Sequence, residues 1–182
     1  MNGGQHTADT ERTVPAPPPA RGGSVWLLLG GNQGDRVHLL RQARELLSRH
    51  AGKIVRQSAL YESEPWGFTS PGWFVNQAVE METAWSPVQL LSVTQQIEKT
   101  LGREKPLAAG YAPRTMDIDI LLFDRQIICL PGLAVPHPRL HERLFALLPL
   151  CEITPETEHP VLQKTLRLLL QECRDTCRVR KL

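Results

Sequence analysis

The stretch "APRTMDIDILLFD", residues 112–124, decides how the chain folds. Met116, Ile118, Ile120, Leu121, Leu122 and Phe123 are the branched and bulky residues of a buried strand. Within that run stand two aspartates, Asp117 and Asp119. Side chains two apart on a strand share a face, so the two carboxylates lie roughly 6–7 Å apart. Neighbouring carboxylates on a half-buried sheet repel, and one is driven toward protonation unless a cation intervenes. The pair is therefore a single feature that needs positive charge beside it.

At 182 residues the chain suits one domain with an ordinary core. A hydrophobic share of 41% with 22% charged residues places it among soluble globular proteins. A net charge of +2 is too small to point to a nucleic-acid partner. Cys129, Cys151, Cys173 and Cys177 form no CxxC pair and no Cys/His zinc pattern. Cys173 and Cys177 have the spacing of one helical turn, but reduced, half-buried thiols are the expectation. No signal peptide or long apolar stretch is found, so a cytoplasmic location is expected. Residues 1–23 are rich in proline and glycine and nearly free of branched apolar residues, so a disordered tail is expected there. A single domain is expected over residues 24–182.

Outward from the aspartate strand, helices and strands alternate. Residues 24–30 read as a strand, and "GNQGD" as a turn into a helix with Asp35 at its N-cap. Val37, Leu40, Ala43 and Leu47 form its apolar face, and Gly52 lies beyond its end. Residues 53–61 read as a second strand, 62–72 as a loop carrying two prolines and two glycines, and 73–83 as a third strand. A second helix opens at Ser86-Pro87 and stops at Gly102, with Leu90, Leu91, Thr94, Ile97 and Leu101 inward. Residues 103–113 form a loop before the aspartate strand. Beyond it, "DRQ" turns into "IICL", expected to pair back as a hairpin strand. Helical segments near 141–150 and 161–173 close the chain.

The order βαββαβ predicts an α+β, ferredoxin-like sandwich, one sheet backed by two helices, with an added hairpin strand and C-terminal helices. That layout hosts many functions, so the site must decide. Arg103 and Lys105 precede the aspartates, Arg114 stands three residues before Asp117, and His137, Arg139, His141 and Arg143 follow. Carboxylates that hold Mg2+ within a ring of cations are what phosphoryl transfer needs. The plainer reading is that each aspartate forms a structural ion pair with an arginine. A polymerase-like palm predicts a third carboxylate, and none is found. An RNA-recognition motif predicts aromatic residues on the central strands, and these are absent. "LGGNQGD" lacks the GK[ST] ending of a phosphate loop and reads as a turn.

The aspartate stretch resembles the signature of the 6-hydroxymethyl-7,8-dihydropterin pyrophosphokinase family of folate biosynthesis. So do "LLLGGNQGDR", "YESEPWG", "FVNQAVEMET", "TQQIEKTLGRE" and "VPHPRLHERLFALLPLCEITPE", in the family's order, over residues 25 to about 158. The resemblance implies transfer of pyrophosphate from ATP to the pterin hydroxymethyl group, with release of AMP. It implies two Mg2+ ions on Asp117 and Asp119, and catalytic roles for Arg103, Lys105 and Arg114 beside them. Gln95, Glu98, Arg103, Lys105, Arg114, His137 and Arg143 fall at ATP-contacting positions. Ser63, Glu64, Trp66, Phe74, Asn76 and Phe145 fall at pterin-contacting ones. The mid-strand amide of Asn76 suits the hydrogen-bonding edge of a pterin. No residue is assigned as general base. ATP and the pterin are the expected partners, with no nucleic acid and no membrane. A monomer is expected, with weak homo-oligomerisation as the alternative.

The sequence departs from the family pattern in a few places. Gly31 stands where serine is usual, which reads as a mild change in a flexible turn. Glu64 and Trp66 replace smaller apolar residues, and Tyr111 stands where tryptophan is common. Loops 62–72 and 103–113 are expected to close over bound ATP.

Overall fold

A computed structural model of the chain describes residues 23–103 and 114–182. Residues 1–22 of the expected tail (1–23), Lys105 and Tyr111 lie outside the described residues, and Gly23, assigned to the tail by sequence, begins the first strand. The central strand β1 (Gly23–Gly31) leads through a turn into helix α1 (Arg36–His50). Strands β2 (Lys53–Gln57) and β3 (Tyr61–Ser63) follow. Next come the long strand β4 (Phe74–Thr83), helix α2 (Pro87–Thr100) and the aspartate strand β5 (Asp117–Phe123). A small ribbon, β6 (Ile128–Leu130) with β7 (Leu133–Val135), precedes helix α3 (Leu144–Ile153). A second ribbon, β8 (Glu158–His159) with β9 (Lys164–Thr165), leads into α4 (Leu166–Glu172) and strand β10 (Val179–Lys181). The main sheet runs β10-β3-β4-β1-β5, with β2 also on β4, and every pairing is antiparallel. This is the expected ferredoxin-like order.

Both helix starts form as their sequences dictate. The Asp35 carboxylate accepts from the His38 amide, and Ser86 forms a reciprocal capping box with Gln89. Leu40, Ala43 and Leu47 bury the inner face of α1, whereas Val37 is 50% exposed and belongs to the outer surface. On α2, Val93 is buried as well, and Leu91 packs half-buried against the core.

The two-period of β1 sorts the core into two layers. Val25, Leu27 and Leu29 meet α1 and α2 on one face, while Trp26 and Leu28 meet α3 and α4 on the other. The sandwich is thus three layers deep, where two helices on one face were expected.

Four further features depart from expectation. The strand foreseen over 53–61 is broken, because Ser58 turns inward and its hydroxyl takes the Ala78 amide (3.1 Å) in place of a ladder carbonyl. Glu62 and Ser63, placed in the loop by sequence, form β3 instead. Residues 128–130 pair with 133–135, not with β5. Asp124 diverts the chain at φ 45° with its carboxylate on the Ser24 amide, and Pro131-Gly132 then closes a tight hairpin. Residues 164–165 pair as β9 before α4 begins, which shortens the helix foreseen from 161.

Gly31 is not a flexible position. It is buried at the end of β1, and a Cβ there would stand 2.2 Å from the Thr115 carbonyl oxygen. Gly31→Ser is therefore expected to destabilise the protein by about 1–3 kcal/mol, since the obstacle is backbone. Urea unfolding of parent and variant checks this.

Candidate active site

The register across β4, β1 and β5 builds the floor of the site. Gly30 pairs with Asn76 on one side and Asp117 on the other, and Leu28 pairs with Ala78 and Asp119. Asn76, Asp117 and Asp119 therefore project from the same face of the sheet, the one covered by α3. Gly30 has no side chain to stand between them. A Cβ at that position would lie 2.6 Å from Asn76 Oδ1. Asn76 is 2% exposed, and its amide nitrogen donates to Ser63 Oγ at 2.8 Å.

Above this floor lies a cavity of about 180 Å3 with two unlike ends. One end is aromatic. Trp66 and Phe145 meet with ring centres 6.5 Å apart, and Phe68 packs edge-on to Phe74 at 6.1 Å. The Arg143 guanidinium lies 4.9 Å from the Trp66 ring centre, and Arg139 lies 5.5 Å from it. The other end is charged, lined by Arg103, Arg114, Asp117, Asp119, His137 and Arg143.

Ion pairs organise the charged end. Asp117 receives Arg114 through one oxygen (2.5 Å) and Arg103 through the other (2.6 Å). Arg103 also grips Glu98, and Arg143 stands 3.7 Å from Asp119. Three guanidiniums thus face three carboxylates. Burial and the Asp117 charge push the Asp119 carboxyl up to about 7, although its side chain keeps 32% of its surface exposed. Burial, with Asp117 nearby, likewise pushes Glu98 up to about 7, against the opposing pull of the Ile118 amide and Arg103. Burial beside Arg143 lowers His137 to about 4, so its ring is neutral near pH 7. Its Nδ1 accepts from the Arg139 amide (3.2 Å), which puts the ring proton on Nε2, 3.4 Å from Arg143 Nη1. An imidazole N–H beside a guanidinium gives two donors that one oxyanion can share.

All six residues expected to contact pterin line this cavity, as do Arg103, Arg114, Asp117, Asp119, His137 and Arg143. Gln95 and Glu98 do not. Gln95 is exposed on α2, and Glu98 is buried, where it accepts from the Ile118 amide (2.7 Å) and fixes Arg103. Residues 104–113, with Lys105, lie outside the described residues. Sequence reasoning missed Phe68, hidden in a stretch read only as loop; it named Arg139 among the cations following the aspartates but not its place over Trp66, which is distant in the chain. It also missed Asn32. That side chain accepts from the Arg114 amide (2.9 Å) and donates to Ser70 Oγ (3.2 Å) and the Gly72 carbonyl (3.3 Å). An asparagine between glycines in a turn was the available signal.

The donor set also bears on a metal. Among the described residues no group of three His, Cys, Asp or Glu side chains could hold one. Two carboxylates on one face fit Mg2+, which keeps several waters and takes its remaining ligands from substrate phosphates. They fit zinc poorly.

A ferredoxin-like sheet with a two-carboxylate, three-guanidinium cavity defines a phosphoryl-transfer class of site. Residues 26–155 match the sequence model described as 7,8-dihydro-6-hydroxymethylpterin-pyrophosphokinase, and the chain belongs to that family. It is 48% identical over 135 residues to a Bacillus subtilis 2-amino-4-hydroxy-6-hydroxymethyldihydropteridine pyrophosphokinase, covering 74% of this chain and 80% of the relative. The Aquifex aeolicus protein of the same name is 40% identical over 144 residues, 79% of this chain and 88% of the relative. Among solved structures, wild-type Plasmodium falciparum HPPK-DHPS superposes with a TM-score of 0.69 at 19% identity, which is a likeness of fold. The match covers 84% of this chain and 45% of the Plasmodium one, so this chain spans less than half of that protein. No helix among the described residues is long and apolar enough to cross a membrane.

The raised Glu98 carboxyl has a consequence for stability. Between about pH 4.5 and pH 7 the native state holds a proton that the unfolded chain has released, so this group's contribution falls as pH rises. Glu98→Gln keeps an oxygen for the Ile118 amide and removes the titration. Glu98→Gln is expected to match the parent's stability most closely near pH 5 and to become the more stable of the two toward pH 8. Urea unfolding across that range measures it.

Proposed function

We propose that this protein transfers pyrophosphate from ATP to the hydroxymethyl oxygen of 6-hydroxymethyl-7,8-dihydropterin and releases AMP, a step of folate biosynthesis. One observation carries the reading: the two-ended cavity, aromatic and amide-lined at one end, acid–base paired at the other, in a chain of this family. The pterin oxygen attacks the β-phosphorus, and the bond between the α- and β-phosphates breaks with AMP as leaving group.

The pterin ring lies among Trp66, Phe74 and Phe145. Asn76, with its nitrogen fixed by Ser63, turns an amide edge to the heterocycle. ATP places its triphosphate at the charged end. Its negative charge competes with Asp117 and Asp119 for the guanidiniums, so Arg103, Arg114 and Arg143 have a route from carboxylate to phosphate. His137 Nε2–H and Arg143 together receive a phosphate oxygen. Glu98 keeps Arg103 in place as its other partner exchanges. Asp117 and Asp119, released from the arginines, would hold Mg2+ as the charge-neutralising clamp on the phosphates and as the means of lowering the pKa of the attacking hydroxyl. A dedicated general base is then unnecessary, and none of the described residues is assigned to that role. The aromatic walls exclude water from the β-phosphorus, which protects the transfer from hydrolysis.

Incubation with ATP, Mg2+ and the pterin is expected to yield AMP only when the pterin is present. Folded protein that binds ATP and makes no AMP sinks the proposal. Asp119→Ala should lower kcat by at least about a hundredfold. Its unfolding midpoint should stay level or rise, because the fold already disfavours that charge. AMP release and thermal unfolding of the same preparation check both halves.

A further inference from the structure

Residues 156–182 lie outside the family match, yet the last of them grip both walls of the cavity. After α4 the chain runs extended. Asp175 takes the Leu144 amide through its carboxylate (2.9 Å), at the start of the helix that presents Phe145, directly after Arg143. Three residues later, the Arg178 carbonyl accepts from the Glu64 amide (3.1 Å). The Glu64 carboxylate in return takes both the amide (2.9 Å) and the guanidinium (2.5 Å) of Arg178. β10 then pairs with β3, Val179 opposite Ser63 and Arg180 opposite Glu62. Ser63 is the residue that fixes the Asn76 amide. Arg178 and Arg180 also flank Trp73, at 5.3 and 5.4 Å from its ring centre.

The loop that carries Trp66 and Phe68 leaves β3 at Glu64 and returns at Trp73. Both of its ends are thus held by the same eight-residue segment, Asp175–Leu182, and that segment's start is tied to the opposite wall. Exposed ion pairs such as Arg178–Glu64 are individually weak, but here they accompany backbone ladder bonds in fixed register. None of these residues touches the charged end.

We infer that Asp175–Leu182 is a positioning strap for the pterin half of the site, holding the 64–73 loop and the Phe145 wall at the spacing the heterocycle needs. The inference rests on the pterin assignment above. The strap acts through Glu64, Ser63 and Trp73 and touches no reacting atom, so its loss weakens pterin binding and spares ATP binding.

Three variants in the AMP assay test it: a chain ending at Arg174, Arg178→Ala, and Asn76→Ala as a reference for the pterin assignment. The truncation is expected to raise the pterin KM roughly tenfold and Arg178→Ala roughly threefold, with the ATP KM within about twofold of the parent. Amide hydrogen exchange over residues 64–73 should quicken in both. If the truncated chain does not fold, Arg178→Ala decides alone. An unchanged pterin KM in the strap variants, with Asn76→Ala raising it, overturns the strap. Equal rises in both KM values also overturn it, since that is the mark of general loosening. If Asn76→Ala leaves the pterin KM unchanged, it is the pterin assignment that fails, and quickened exchange at 64–73 with an unchanged ATP KM still reports the strap.

Discussion

The structure depends on one strand having partners on both sides. β1 is hydrogen-bonded to β4 and β5 along its length, and this places side chains from two distant parts of the sequence on either side of Gly30. Asn76 and Asp117 are separated by forty residues of chain and by a single glycine in the sheet. The absence of a Cβ at Gly30 leaves Asn76 Oδ1 where it is, and the same absence at Gly31 lets the Thr115 carbonyl approach. Bulk at either position would lift the amide or the chain that leads to the aspartates. The cavity is a consequence of backbone register first and of side-chain chemistry second.

Within that frame, the two readings of the aspartate pair cease to compete. The aspartates do form ion pairs with arginines, as the plainer reading held. The same pairs are what a nucleotide site requires before its ligand arrives. Three guanidiniums gathered in a half-buried cavity need counter-ions, and the carboxylates supply them. In the proposed reaction the triphosphate takes over that role, so the ion pairs hold the arginines ready for it.

Much of this was legible in the sequence, and the reasons are local. The aspartate strand, both helix starts and the βαββαβ order are written in periodicity and caps, which need no distant information. The twelve cavity residues named from the family pattern and placed by the described structure fall together because that pattern spans nearly the whole domain. What stayed hidden depends on contacts across the chain. The break at Ser58 follows from a hydroxyl finding the Ala78 amide, and the inward turn of Glu98 from the Ile118 amide. Arg139 joins the site only because Trp66 lies beneath it. Gly31 looked pliable because glycine in a turn usually is; the carbonyl that crowds it is eighty residues away.

β5 also has a place in the sheet whose effect reaches beyond the site. Among the described residues it has a single ladder partner, β1, so its outer side is the end of the sheet. An apolar strand with one open side invites another strand to add to it. Its later half is shielded, since the His137 amide donates to the Leu121 carbonyl (2.8 Å). The earlier half carries Asp117 and Asp119, half-buried and held beside their arginine partners. The carboxylates and their arginine partners therefore put charge along the part of this rim where a neighbour's strand would add, so the residues proposed for the site also guard the edge of the sheet.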